Sequence, residues 1–276
     1  MKNQINIFGS TVKYWVFNAD KPKTLVMIHG FRGTHHGLQL IIDRLPDFKI
    51  IIPDLPGFGE STPLKNKPHT INGYCDFLKE FIKRVAPEQP FLLGHSFGSI
   101  IVSHFAAKNP NAISKLILIN AIAEPPLKGP QKVATKIAVL YYWLGQKLPQ
   151  KMGEKMLRSK IVIFGASLLM TTTKDKALRK FIHENHLKYF STFQDRDTLR
   201  EAFEASTKNT ASDKADVIKV PTLMIAGELD KIAPLRSQHN LVKIIPDAQL
   251  VVFKAGHLIH HEAPTEAASS IRNFLT

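Results

Sequence analysis

Gly94-His95-Ser96-Phe97-Gly98 sets a serine between two glycines directly after the apolar run 91–93. A serine hydroxyl is a weak nucleophile near neutral pH and needs a base within hydrogen-bond reach. A strand–turn–helix passage would present it: the glycines permit a sharp, strained turn that lifts Ser96 Oγ out at the carboxyl edge of a sheet. The following helix aims its N-terminal N–H groups at the same point, where negative charge would develop. Three further signals complete such acyl-transfer chemistry. Gly256-His257 follows the apolar run 249–253, and of the 12 histidines His257 is the one best placed to act as the base. Gly227-Glu228-Leu229-Asp230 leaves the run 221–226 and offers a carboxylate to fix the imidazole tautomer. Asp230 is the choice, with Glu228 a near rival and Glu124 a more remote one. His29-Gly30-Phe31 follows the run 23–28. The Phe31 and Phe97 N–H groups then form the pair of donors that a tetrahedral oxyanion requires. Nucleophile, acid and base occur in the order Ser96, Asp230, His257.

These motifs need a sheet to carry them. Short β-branched runs alternate with helical patterns, as in a parallel sheet buried on both faces. Strands are expected at 6–8, 12–17, 23–28, 48–53, 90–93, 114–119, 221–226 and 249–253, the first two as a hairpin. Helices are expected at 38–45, 71–85, 99–108, 236–244 and 264–275. At 71–85, Tyr74, Phe77, Leu78, Phe81, Ile82 and Val85 share one face. Between about 122 and 212 the pattern is helical only, with breakers at Pro125-Pro126, Gly129-Pro130, Pro149 and Gly165. The division expected is a core of residues 1–121 and 213–276 and a helical insertion of residues 122–212. The apolar runs 138–143 and 161–170 read as core faces of the insertion's helices, with some side chains lining an apolar acyl pocket.

With all four signals in place, the chain resembles the α/β-hydrolase superfamily over nearly its whole length. Asp54-Leu55-Pro56-Gly57-Phe58-Gly59-Glu60-Ser61 is similar to that family's Asp-x-x-Gly-x-Gly-x-Ser turn, and Val220-Pro221-Thr222 opens the acid-bearing strand in the same manner. The resemblance implies a mostly parallel, eight-stranded doubly wound sheet, with the helical stretch as a cap over the site. Ser96 separates the chain from the haloalkane-dehalogenase branch, which uses Asp there. The resemblance implies no cofactor. The activity expected is hydrolysis of a small, mostly apolar ester or related acyl compound. The alternatives are a carbon–carbon bond hydrolase of a dienoic diketone, whose turn commonly has Asn where this chain has His95, and a non-catalytic binding protein of the same fold. A haloperoxidase or acyltransferase would keep the same three residues. Candidate substrate contacts are Arg32, which could bind a carboxylate or brace its loop, His95 and Trp143.

Composition sets the remaining bounds. The 276 residues are 44% hydrophobic, ample for a large core. The single cysteine, Cys75, excludes an intrachain disulfide and reads as a plain buried thiol. No signal-peptide pattern and no membrane-length apolar run appear, so a cytoplasmic protein is expected. The net charge is +14, and residues 121–215 hold 17 Lys and Arg against 9 acids. The basic residues are scattered and no nucleic-acid motif accompanies them, so a solvated basic surface is expected, with at most weak attraction to anionic surfaces. His29, His35 and His36 lie close together without the spacing of a zinc motif, and no metal is expected.

Overall fold

The computed structural model describes residues 1–126 and 132–276, so the expected break at Gly129-Pro130 lies outside the described residues. Eight strands form one sheet: β1 (Lys2–Ile7), β2 (Ser10–Phe17), β3 (Thr24–Ile28), β4 (Lys49–Pro53), β5 (Phe91–His95), β6 (Leu116–Ile119), β7 (Thr222–Gly227) and β8 (Ala248–Phe253). Their order is β1-β2-β4-β3-β5-β6-β7-β8. β1 and β2 form the expected hairpin, closed by Phe8 and Gly9 at φ 48° and 77°, as a two-residue turn of the twist-matched kind demands. β2 also runs antiparallel to β4, and every other pairing is parallel.

The central strands are apolar throughout because helices cover both faces of the sheet. Along β3, Val26 and Ile28 enter one core with α2 (Ile71–Val85) and α3 (Phe97–Lys108). Leu25 and Met27 enter the other, with α1 (Gln39–Ile42) and, after β8, the terminal helix. α2 spans the residues expected and buries Tyr74, Phe77, Leu78, Phe81 and Ile82; the Thr70 side chain caps its start by accepting from the Gly73 N–H. β5 runs on through Gly94 to His95, and α3 begins at Phe97 rather than Ser99, so Ser96 is the single residue between strand and helix.

Among the described residues, five helices lie between β6 and β7: α4 (Lys132–Lys147), α5 (Gln150–Leu157), α6 (Lys160–Met170), α7 (Lys176–Tyr189) and α8 (Arg196–Lys208). A 3-10 segment, Ala211–Val217, returns the chain to the sheet and straddles the boundary expected at 212–213. Pro149 caps α5, as a breaker should. Gly165 breaks nothing: it sits inside α6 on an open face where a Cβ would meet no atom within 4 Å. The runs 138–143 and 161–170 form core faces only in part, through Tyr142 and Ile163, which are buried. Leu140 is 54% exposed and Ile161 84%. The chain closes with α9 (Leu235–Ile244), α10 (Ile259–Glu262), absent from the sequence-based expectation, and α11 (Pro264–Leu275).

Candidate active site

The loops that leave β3, β5, β6, β7 and β8 gather at the carboxyl end of the sheet, the edge at which open α/β sheets bind ligands. Ser96 has φ 53° and ψ −117°, a conformation that L side chains rarely adopt and that costs about 1–3 kcal/mol. The strain is held by packing. A Cβ on Gly98 would lie 2.4 Å from the Ile28 carbonyl, and one on Gly94 would lie 2.5 Å from the Gly98 carbonyl. Only glycine lets α3 start this close to β3.

Ser96 Oγ lies 2.8 Å from His257 Nε2, and His257 Nδ1 lies 2.8 Å from Asp230 Oδ2. His257 and Asp230 are buried, while Ser96 stays partly accessible. Burial pulls the Asp230 carboxyl upward. The His257 charge and hydrogen bond, with the Ala233 and Ile232 N–H groups, outweigh that and hold it below the usual carboxylate value. The rivals stand elsewhere: Glu228 is exposed, and Glu124 faces Arg236.

Phe31 sits in the loop after β3, where Gly30 approaches Ser96 so closely that a Cβ would meet the Ser96 Cβ at 3.3 Å. The rings of Phe31 and Phe97 meet edge to face with centroids 6.2 Å apart. Neither the Phe31 nor the Phe97 N–H donates a loop or cap hydrogen bond to another backbone group among the described residues. His29 shapes this loop. Burial lowers its pKa, so the ring is neutral, with Nδ1–H donating to the Gly30 carbonyl and Nε2 accepting from the Leu55 N–H.

The three candidate substrate contacts are placed differently. The Arg32 guanidinium is buried and donates to the Phe190 and Leu157 carbonyls at 2.8 and 2.9 Å and to the Tyr142 hydroxyl at 3.3 Å, all three groups belonging to the helical insert. The His95 ring lies beneath the His257 loop and shares its Nε2 with the His257 carbonyl at 3.1 Å. Burial, then the neighbouring His257 charge, pushes His95 down to about 3. Trp143 is half exposed on α4, with Lys147 Nζ 5.9 Å from its ring centroid. Of the other histidines, His35 bonds Asp54 at 2.9 Å and His36 stacks on Tyr189, while His260 and His261 are buried packing groups. Cys75 is buried, and its thiol is pushed up to about 12.

Two residues at the site escaped the sequence reading. Asn120, directly after β6, donates to Asp230 Oδ2 at 2.6 Å and to the Gly256 carbonyl at 2.9 Å. Its place at a strand's carboxyl end is the signal that could have found it. Glu262 accepts from the N–H groups of Gly256, Thr172 and Thr173 and from the Thr172 hydroxyl, at 2.6 to 2.9 Å. It thereby ties the link after α6 to the residue before His257.

Residues 23–264 match the family model described as alpha/beta hydrolase fold. A relative from Bacillus subtilis, the uncharacterized hydrolase YugF, is 25% identical, covering 99% of this chain and 97% of its own. A pimeloyl-[acyl-carrier protein] methyl ester esterase from Vibrio atlanticus is 21% identical, covering 88% and 90%. Among solved structures, an enol-lactonase from Burkholderia xenovorans superposes with a TM-score of 0.82 at 18% identity, covering 99% of each chain. With a match over most of its length and a sheet order and helical insert to suit, the chain belongs to the α/β-hydrolase fold family.

Proposed function

We propose that the protein is a serine esterase acting on a small, mostly apolar carboxylic ester. The observation that carries this reading is the unbroken hydrogen-bonded line from Ser96 Oγ through His257 to Asp230, set in a strained turn. In the first half-reaction Ser96 Oγ attacks the ester carbonyl while His257 Nε2 takes the hydroxyl proton. The Phe31 and Phe97 N–H groups hold the oxyanion, and Asp230 stabilises the imidazolium. Collapse of the tetrahedral intermediate breaks the carbon–oxygen bond, and His257 gives its proton to the departing alkoxide. Water, deprotonated by His257, then attacks the acyl-enzyme. The acid leaves and Ser96 regains its proton. Residues 122–212 act in this reading as the roof of the site, fastened by Arg32 and Glu262.

The placement of Arg32 supports an ester over a carboxylate-bearing dienoic diketone. Its guanidinium already serves three groups of the insert, so it braces the loop rather than waiting for an anionic substrate. The relative named as a methyl ester esterase agrees in bond type. The test is hydrolysis of p-nitrophenyl esters of graded chain length by the wild type and Ser96→Ala in parallel. The expected loss in the variant is ~10³-fold or more, the scale set by removal of a serine nucleophile. Equal rates in the two proteins would exclude Ser96 as nucleophile, and no turnover of any ester by the wild type would defeat the esterase reading.

A further inference from the structure

A helix at the surface of a water-soluble protein turns its apolar stripe inward and its polar residues outward. α6 does the reverse. Its buried positions are Ile163 and Ser167, and the Ser167 hydroxyl is shared between His183 Nδ1 at 2.6 Å and His186 Nδ1 at 2.7 Å. The outward side presents Ile161 at 84% exposure and Leu169 at 65%, with Val162, Phe164 and Leu168 also exposed. Its only charged residue is Lys160, at the start. α4 repeats the inversion: it buries Thr135, Tyr142 and Gly145. Val133, Ile137, Leu140 and Leu144 follow one another at steps of three or four residues and so form a single stripe, exposed by 71, 64, 54 and 40%. Single exposed apolar residues are ordinary, but here 13 of the 18 large ones among the described residues fall within residues 133–181.

Charge identifies the occupant. Residues 132–170 carry seven Lys and Arg against one acid, Glu154. None of the six lysines among them has a carboxylate at ion-pair distance among the described residues. A second copy of this chain would bring one basic face against another, which like-charge repulsion opposes. A surface of anionic phospholipid offers apolar depth and phosphate charge together. No helix among the described residues is long and apolar enough to cross a membrane, so the contact lies in the plane of the interface.

We propose that α4 and α6 dock the protein onto an anionic phospholipid surface, their outward apolar side chains entering the acyl boundary and the lysines lying among the lipid phosphates. Trp143, with Lys147 beside its ring, has the amphipathic character that suits the headgroup level. The link that follows α6 is held by Glu262 against Gly256, next to His257, so a seated α6 sets Ser96 close to the lipid. That last consequence rests on the esterase reading; the docking does not.

The test is flotation of the full-length protein with vesicles of phosphatidylglycerol and phosphatidylcholine in equal parts, and with vesicles of phosphatidylcholine alone, at low and high salt. The wild type floats with the anionic vesicles and binds the neutral ones at least ~10-fold less, and salt releases it. Each of Lys136→Gln and Lys160→Gln lowers partitioning about fivefold. Ile161→Ser with Leu169→Ser lowers it by ~10-fold or more, from the apolar area withheld from lipid. All these variants keep the wild-type rate on a soluble p-nitrophenyl ester, because none of the substituted side chains belongs to the catalytic machinery. No flotation with anionic vesicles, or equal binding to both kinds, overturns the proposal. So does a dimer in sedimentation that Ile161→Ser with Leu169→Ser dissolves while vesicles bind nothing, which would make a second copy the occupant. Flotation without ester turnover would leave the docking in place and sink the esterase reading; turnover without flotation would do the opposite.

Discussion

Asp230 receives more hydrogen bonds than its proposed role of orienting His257 alone would need. Besides His257 it accepts from the Ile232 and Ala233 N–H groups and from Asn120 Nδ2. The Asn120 amide also grips the Gly256 carbonyl, one residue before His257. In the proposed esterase, Asn120 is thus a positioning residue that fixes Asp230 and His257 relative to each other. Asn120→Ala removes a hydrogen bond to a charged group, about 1.5–3 kcal/mol, so kcat should fall roughly 10- to 100-fold with KM little changed. A rise in KM at constant kcat would instead place Asn120 in substrate binding. Ser96, His257 and Asp230 were legible as residues because each follows the end of an apolar strand, and strand ends are where chemistry is presented. Asn120 has the same position, but an amide there has no distinctive partner in the sequence. The Glu262 donors come from two separate stretches of chain, 172–173 and 256, so no local pattern announces it.

At the scale of elements, the junction of β5 and α3 carries the most constraint per residue. Ser96 is strained, and Gly98 is needed because the first turn of α3 runs against the Ile28 and His29 carbonyls, at 2.4 and 2.8 Å from a built Cβ. Gly98→Ala should therefore lower stability by about 3 kcal/mol, measured by denaturant unfolding, at the upper end for overpacking. A change below about 0.5 kcal/mol would mean that α3 moves away freely and that the close packing does not hold the turn. Strand and helix assignments in the sheet were readable because continuous apolar runs, turn glycines and helical spacing agreed with one another. The insert was readable as helices but not as surfaces. Periodicity says which side chains share a face, and nothing in it says whether that face meets the core or the surroundings. For α4 and α6 the apolar stripe faces outward, against the usual expectation.

Across the whole molecule, a row of buried histidines joins the core to the insert. Ring centroids are 4.3 Å apart for His95 and His260, 4.3 Å for His260 and His261, and 6.5 Å for His186 and His261. Burial first, and mutual repulsion among most of them, push His95 and His186 down to about 3, and His260 well below its usual value. His261 falls to about 4 through burial. Below the ordinary histidine value of 6.5 the unfolded chain binds protons that the folded chain refuses. Stability is then complete above about pH 6.5 and declines as pH falls toward 3–4, by on the order of 1 kcal/mol per pH unit for each histidine. Thermal melts across this range should show a plateau above and a steep fall below. His261→Phe, beside Phe181, should make the fall shallower. A profile flat from pH 7 to pH 4 would contradict the burial of these rings as neutral groups.

The sequence by itself determined the doubly wound sheet, the hairpin at its start, the helical insert and the addresses of Ser96, His257 and Asp230, because each depends on local chemistry: apolar runs, turn residues and breakers in a fixed order. Only the tertiary structure decided what those groups touch. It spent the Arg32 guanidinium on the insert, brought Asn120 and Glu262 to the His257 loop, lined up four histidines from distant stretches of chain, and turned the apolar stripes of α4 and α6 outward. Those outcomes depend on contacts between residues far apart in the chain, and such contacts exist only once the sheet has closed around its cores.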